Sequence, residues 1–456
     1  MLRSFRFSNH RSFRDEAELL LIPAYDKDRA AVPVAAIYGA NAAGKSNLLD
    51  ALRFMAEAVR DSYRSWRPED GVPRRPFVLP RSASDASVYV VELVLEGVRH
   101  TYGFSVDDEL VQEEWLYAYP HRNRRRIVFE RHGQNVTLGS SVTEHRAKVD
   151  VLADLTRPNA LFLSLATQVG LPEVLAVDGW FTRQLLFSSG PATERSLAAA
   201  VTTHLTREPR NHSRLLGLLR AADLGISGLV IEEDEVTKQL VAAAKERRWR
   251  AERELEEARS TGVHGATLDR LYMTLGATAA ELDHLQNVRQ RRGSQRLRLA
   301  HGAAGELLDI SDESAGTRAW LQLLTVVLDV LDSGSPIVID EIDSSLHPEL
   351  AARLIRLFQS EDLNPRSAQL LFTTHDATLL GTSFGEEVLG RDQVWFVEKG
   401  SDGSSRLYPL TDFHPRQNEN RERRYLNGSY GAIPITSDLA VERAVVPEGP
   451  RDVAAS

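Results

Sequence analysis

The sequence predicts an α/β fold: a head split into two halves, a β-rich lobe, and an inserted helical arm. Three observations predict it. A buried strand, Val34–Tyr38, runs through a glycine-rich loop into an amphipathic helix. Residues 87–138 alternate apolar and polar side chains at strand spacing. Residues 234–292 have helix-forming sequence that is charged on most faces.

Each element follows in order. Leu2, Phe5 and Phe7 read as one strand and Ala17–Ile22 as a second, with a polar turn over Asn9–Arg14. Residues 61–86 are rich in Pro, Arg and Ser and read as loop. The stretches SVYVVELVLEG, HTYGFSV and RRIVFERHGQNVTLG predict the β-rich lobe, and 143–230 read as mostly helical. EDEVTKQLVAAAKERRWRAERELEEARS and LDRLYMTLGATAAELDHLQNVRQRR, joined by Thr261–Gly265, predict two antiparallel helices forming a short coiled-coil arm. Each would reach roughly 35–40 Å. The hairpin either lies on the body or projects, and its weak apolar stripe favours projection. Residues 297–433 return to α/β patterning, with buried strands expected near 335–340, 369–373 and 393–398. The expected domains are 1–195 (first half of the head, with the lobe), 196–292 (helical insertion), 293–433 (second half) and 434–456 (flexible tail).

Composition narrows the function classes. The 456 residues are 42% apolar and 26% charged, ordinary for a globular protein with two or three domain-sized units. A formal charge of −9 excludes a generally basic nucleic-acid coat, though not a local basic patch. Without cysteine there are no disulfides, thiolate metal sites or cysteine nucleophiles, and the chain fits a reducing cytosol. The N-terminus does not read as a signal peptide, and no apolar run is long enough to span a bilayer. A cytoplasmic location without a membrane partner is the expectation.

Gly39-Ala-Asn-Ala-Ala-Gly44-Lys45-Ser46 fits the phosphate-binding pattern G-x-x-x-x-G-K-[ST]. It would occur by chance in about 2% of chains this long. Gly39 and Gly44 let backbone N–H groups turn toward phosphate oxygens, and Asn41 and Asn47 complete the loop set. Lys45 brings charge to the β- and γ-phosphates of ATP, and the Ser46 hydroxyl can ligate Mg²⁺. Ile337-Val338-Ile339-Asp340-Glu341 is a buried strand ending in two acids. Asp340 can hold the Mg²⁺ and Glu341 can polarise the attacking water.

Further along, Asp312-Glu313-Ser314-Ala315-Gly316-Thr317 precedes a long helix, Asp343-Ser344-Ser345-Leu346-His347-Pro348 follows the acids, and Thr373-Thr374-His375-Asp376 ends the next strand. In this order they resemble the signature motif, D-loop and H-loop of ABC-type ATPases. The resemblance implies that Ser314 and Gly316 cap the γ-phosphate from an opposite subunit, and that His375 contacts it. The long insertion resembles the RecF, SMC and OLD branch. The opening LRSFRFSNHRSFRDE implies, in that branch, that Arg11 and Ser12 lie near the adenine or ribose. Gln168 is a candidate Q-loop residue, or else merely ends a helix. More closely, YGANAAGKSNLLDAL, ADLGISGLVI, ESAGTRAWLQLL, VIDEIDSSLHPEL, LFTTHDATLL and NRERRYLNGSYGAIP resemble the bacterial AbiLi/RloA-like ATPases, related to the ATPase of PARIS systems.

That resemblance implies a head-to-head homodimer or higher oligomer, hydrolysing ATP in phage defence beside a separate nuclease or toxin from the same operon. The alternative is a DNA-repair or chromosome-maintenance ATPase of the RecF/SMC type. No Asp-x-Asp follows residue 376 and Asp392 and Asp402 are isolated, so a nuclease centre of the OLD kind is not expected. His121–Arg126, Arg416–Arg424 and Arg289–Arg292 are candidate contacts to a DNA backbone, or else solvated surface.

Overall fold

The computed structural model describes all residues except 27–28, 80–84, 121–123, 141–145, 189–191, 234, 293–294, 345, 415–418 and 434–456. The expected tail therefore lies outside the described residues. So does part of two basic clusters.

β1 (Leu2–Ser8) and β2 (Ala17–Leu20) form a hairpin, with Leu2, Phe5 and Phe7 buried at alternate positions. β3 (Val34–Tyr38) is buried along its whole length, as a central parallel strand must be. α1 (Lys45–Ser65) buries Leu48, Leu49, Leu52, Met55 and Val59 at helical spacing. Each such side chain contributes about 2 kcal/mol. α1 extends into the stretch read as loop because Ser62 is buried, its Oγ accepting the Leu161 N–H at 3.1 Å.

β4 (Ser87–Leu95), β5 (Val98–Val106), β6 (Val111–Tyr119), β7 (Arg126–His132) and β8 (Asn135–Leu138) form an antiparallel meander. With the first hairpin it makes a seven-stranded sheet in the order β2-β1-β4-β5-β6-β7-β8, the β-rich lobe. α2 (Arg146–Leu155), α3 (Phe162–Gln168), α4 (Pro172–Gly179) and the short β9 (Leu186–Phe187) follow.

Inside the lobe, Glu114 and Arg131 are completely buried, with Oε2 and Nη1 3.6 Å apart. The Glu114 carboxylate also accepts the Phe162 and Leu163 N–H groups at 2.6 and 2.9 Å and the Tyr102 hydroxyl at 3.0 Å. Burial raises this carboxyl above its ordinary value, against the pull of Arg131 and the amide donors. Arg131 donates onward to the carbonyls of Gly133 and Ala160. One ion pair thus ties the sheet to α3.

α5 (Glu194–Arg207) and α6 (Pro209–Ala221) lead to β10 (Ile226–Glu233), a strand inside the stretch read as helical. α7 (Glu235–Ser260) and α8 (Ala266–Arg292) form the antiparallel pair, turning at Thr261–Gly265 as expected. Their seam buries Val241, Ala244, Ala251, Leu255 and Leu282. Away from it the described side chains are partly or fully exposed, Trp249 and Met273 among them. β11 (Gln295–His301) returns from α8 to pair with β10, and β12 (Glu306–Asp309) pairs with β11.

α9 (Ala315–Ser333) precedes β13 (Pro336–Ile339), followed by α10 (Pro348–Gln359), β14 (Gln369–Thr374), β15 (Val394–Lys399), β16 (Ser405–Pro409) and α11 (Arg421–Leu426). The core sheet has the order β16-β15-β3-β14-β13-β9 and is parallel except for β16.

Two compact units result. The first holds 1–188, 333–344 and 351–456, with both large sheets; the second holds 189–332 and 345–350. Residues 293–332 group with the arm because β11 pairs with β10. Among the described residues, no helix is long and apolar enough to cross a membrane.

Candidate functional site

The phosphate-binding pattern occupies the turn between β3 and α1. Two of its glycines are required by close approach. A Cβ on Gly39 would lie 2.5 Å from the Val397 carbonyl oxygen. Gly44 has φ +116°, and a Cβ there would come within 2.7 Å of the Ser12 Oγ and closer still to the Ser405 Oγ. Asn41 and Ser46 are exposed on the turn. The first N–H groups of α1 have no carbonyl four residues back, so this helix start offers donors to an anion.

Lys45 is buried, its Nζ donating to the carbonyls of Gly39 (2.8 Å) and Ala40 (3.3 Å). Burial lowers its ammonium below the ordinary lysine value, and Glu341, Asp343 and Asp340 pull it back up. These three acids therefore act on the same lysine. Topology explains why. β14 lies between β3 and β13, all parallel, with Thr374 opposite Tyr38 and Phe372 opposite Ile339. The carboxyl ends of the three strands stand side by side, the usual ligand position in such sheets.

Thr373 fastens the acid pair. Its buried hydroxyl donates to Asp340 Oδ1 (2.5 Å) and accepts the Glu341 N–H (2.7 Å). Its carbonyl accepts the Ile342 N–H at 3.1 Å. Glu341 has φ +52°, a left-handed conformation unusual outside glycine. Its carboxylate is exposed, as is that of Asp340. His375 projects from the end of β14, its side chain 63% exposed, with Nδ1 2.8 Å from Asp343 Oδ2.

Ser12 sits against the loop. Its Oγ accepts from Asn47 Nδ2 (2.7 Å) and from Ser405 Oγ (2.8 Å), while its carbonyl accepts the Ser405 N–H. Arg11, with φ +49°, bonds Asp50 on α1 through Nε, and His10 Nε2 reaches the same carboxylate at 3.1 Å. Burial pushes the Asp50 carboxyl up, but the His10 and Arg11 bonds bring it to a net value below the ordinary one. The structure thus brings Arg11, Ser12, Asn47 and Lys45 to one end of α1.

Ser314 and Gly316 lie in the second unit. Ser314 is exposed just before α9, with Oγ accepting the Thr317 N–H at 3.0 Å, a helix N-cap. Gly316 is in the first turn, which has no acidic residue. This helix start is also suited to an anion.

Two readings change. Gln168 Oε1 accepts from Arg64, in the last turn of α1. That is about 28 Å along the helix from Lys45, so Gln168 ends a helix and does not reach the loop. In the basic cluster 416–424, Arg421 is buried and pairs with Glu387 and the Leu389 carbonyl, and Arg424 pairs with Glu419. Arg421 is thus spent on packing, while Arg423 is exposed. Sequence reasoning passed over Thr373, Ser405 and Asp50. Thr373 stood in the quoted motif Thr373-Thr374-His375-Asp376; nothing local marks the other two.

The donors fit the implied metal. Mg²⁺ in nucleotide sites keeps waters and substrate phosphates among its ligands and takes few from protein. Ser46 offers a hydroxyl with no partner among the described residues, and Asp340 a carboxylate oriented by Thr373. No cluster of three His, Cys, Asp or Glu side chains suited to a metal exists among the described residues.

Residues 34–381, about three quarters of the chain, match the family described as "AAA domain, putative AbiEii toxin, Type IV TA system". A Pyrococcus furiosus Smc head domain with an extended coiled coil, bound to the C-terminal domain of ScpA, is similar at 13% identity and TM-score 0.37, covering 91% of this chain and 97% of that one. No curated protein matches. With the loop, the acid-tipped strand and the intervening strand all inside the matched span, the chain belongs to this AAA-domain family and has an α/β fold with the P-loop at the end of a parallel strand.

Proposed function

We propose that the protein binds and hydrolyses Mg-ATP, closes as a head-to-head dimer, and controls a separate effector in a bacterial antiphage or toxin–antitoxin system. The observation that carries the enzymatic reading is the convergence of Lys45, Asp340, Glu341 and His375 at three adjacent strand ends. Lys45 leaves its loop carbonyls to meet the β- and γ-phosphates. The amides at the start of α1 hold the β-phosphate. Glu341 accepts the proton of the attacking water at its carboxylate, and His375 meets the γ-phosphate. Ser46 and Asp340 would hold Mg²⁺, which when bound would supply positive charge to offset that developing on the phosphate. Arg11 and Ser12 take the nucleoside end. Ser314 and Gly316 of a second copy complete the site.

The family description, with its toxin and toxin–antitoxin terms, supports the defence reading. The effector is read as separate because the sequence offers an ATP site and no recognisable cutting centre. A cytoplasmic setting follows from that role. ATP can drive the effector only if open and closed heads bind it with different affinity.

The test measures phosphate release by the purified chain with Mg²⁺, and integrity of DNA and RNA in the same tubes. Slow hydrolysis with intact nucleic acid is expected, and Glu341→Gln should slow turnover further. Metal-dependent cleavage by the chain alone, lost on changing Asp392 or Asp402 but kept in Glu341→Gln, would replace this reading with a self-contained nuclease.

A further inference from the structure

We propose that Asp343 is a positioning residue for His375: it fixes the imidazole through Nδ1–H and leaves Nε2 as the nitrogen that meets the terminal phosphate. The inference rests on the hydrolytic reading above and adds to it a residue that the motif comparison gave no role.

The geometry begins with the turn after β13. The Glu341 carbonyl accepts the Ser344 N–H at 3.0 Å, closing a β-turn with Ile342 and Asp343 at its centre. That turn is pinned to β14 at two points, through Glu341 N–H to Thr373 Oγ1 and Ile342 N–H to the Thr373 carbonyl. Asp343 is therefore held rigidly beside the residues that follow Thr373. Its Oδ2 lies 2.8 Å from His375 Nδ1 and 3.3 Å from the His375 backbone nitrogen, which donates to it. One carboxylate oxygen thus holds both the backbone and the ring of the same histidine.

The burial of the two partners is opposite. The Asp343 side chain is 7% exposed and that of His375 is 63% exposed. Asp343 Oδ1 is buried with no hydrogen-bond partner among the described residues. A buried carboxylate with an orphan acceptor is costly. Its placement is explained by what it does to the ring. A carboxylate only accepts, so Nδ1 must carry the proton, and the tautomer is set. The neutral ring then offers Nε2 as an acceptor, and the protonated ring offers it as a donor.

Asp343 also acts on Lys45 through its field. A double-mutant cycle separates the two routes, because only an effect through His375 vanishes when that ring is absent. The variants are Asp343→Asn, His375→Gln and the double change, made in the full chain. Turnover, nucleotide affinity and melting temperature are measured for each. Asp343→Asn should lower kcat about 10- to 100-fold, the range for losing an orienting partner. Nucleotide Kd should stay within about twofold, and the change should cost nothing further in the His375→Gln background. If asparagine does not fold at this buried position, Asp343→Ser is read in the same way. An equal loss of kcat in both backgrounds, or unchanged kcat, overturns the proposal. Histidine side-chain ¹⁵N spectra give a readout that needs no hydrolysis, with His375 assigned by its absence in His375→Gln. A ring bearing its proton on Nδ1 in the native chain and losing that preference in Asp343→Asn supports the pairing. A ring indifferent to Asp343→Asn overturns it. A native chain without ATPase activity would sink the hydrolytic reading, and these spectra would still decide the pairing.

Discussion

Replacing Thr373 with valine removes one hydroxyl and keeps the shape of the side chain. Thr373 is fully buried in β14, so the loss cannot be made good by water. Two bonds disappear. The bond to the Asp340 carboxylate is charge-assisted, worth about 1.5–3 kcal/mol. The bond from the Glu341 N–H is an ordinary one, worth about 1 kcal/mol. Together they set a destabilisation of about 2–4 kcal/mol, read from urea denaturation. The catalytic effect should be more selective. Glu341 holds a left-handed backbone that only these bonds and the following turn enforce. Once released, the carboxylate shifts relative to the attacking water, and a displacement of about 1 Å can cost about 100-fold in rate. The Lys45 loop is untouched, so ATP affinity should hold. Phosphate release at saturating ATP, with nucleotide affinity measured separately, checks this. Thr373→Ser, which keeps the hydroxyl, should retain most of the rate. Valine at 373 with native kcat would show that the acid pair needs no fastening and would refute the reasoning.

Lys45→Ala should abolish nucleotide binding, measured with a fluorescent ATP analogue, because it deletes the charge that meets the β- and γ-phosphates. Glu341→Gln should bind ATP, turn it over slowly and accumulate a closed dimer on size-exclusion chromatography; native turnover would remove Glu341 from its role as base. Ser314→Arg and Lys45→Ala chains should each be inactive, yet a mixture should recover activity, since one site in each mixed dimer has both halves intact. No recovery would argue against a sandwich dimer. Glu114→Leu should destabilise the fold by about 3–5 kcal/mol in urea denaturation, because Arg131 and the α3 amides lose a buried partner.

Much of the site could be read from the sequence because its parts are local. A glycine loop, a lysine and a serine within eight residues define one turn, and two acids after three apolar residues define a strand tip. What the sequence hid depends on which strand lies beside which. Thr373 matters because β14 separates β3 from β13, and Ser405 because β16 passes over Gly44. Neither fact leaves a periodic trace. Glu114 shows the same limit. In VQEEWLYAY it reads as one of two surface acids, yet only Glu113 faces solvent. β10 was masked by its neighbours: eight residues of strand between α6 and α7 give too short a change of period to stand out. Gln168 stayed open between two readings because a glutamine near the end of a helix has no local feature that says which end of α1 it meets.

The arm has a consequence for how a distant event could be felt. α7 follows β10 in the chain and α8 precedes β11, two strands paired from Ile226 opposite His301 to Glu233 opposite Gln295, with one irregularity between Ile226 and Gly228. β12 completes that ladder and ends at Asp309, one short turn of chain before Ser314. The hairpin is thus a lever whose fulcrum is a small sheet, and the serine that caps α9 rides on the short side of it. A partner that tilts the long end transmits torque through paired backbone, which yields far less than a loop.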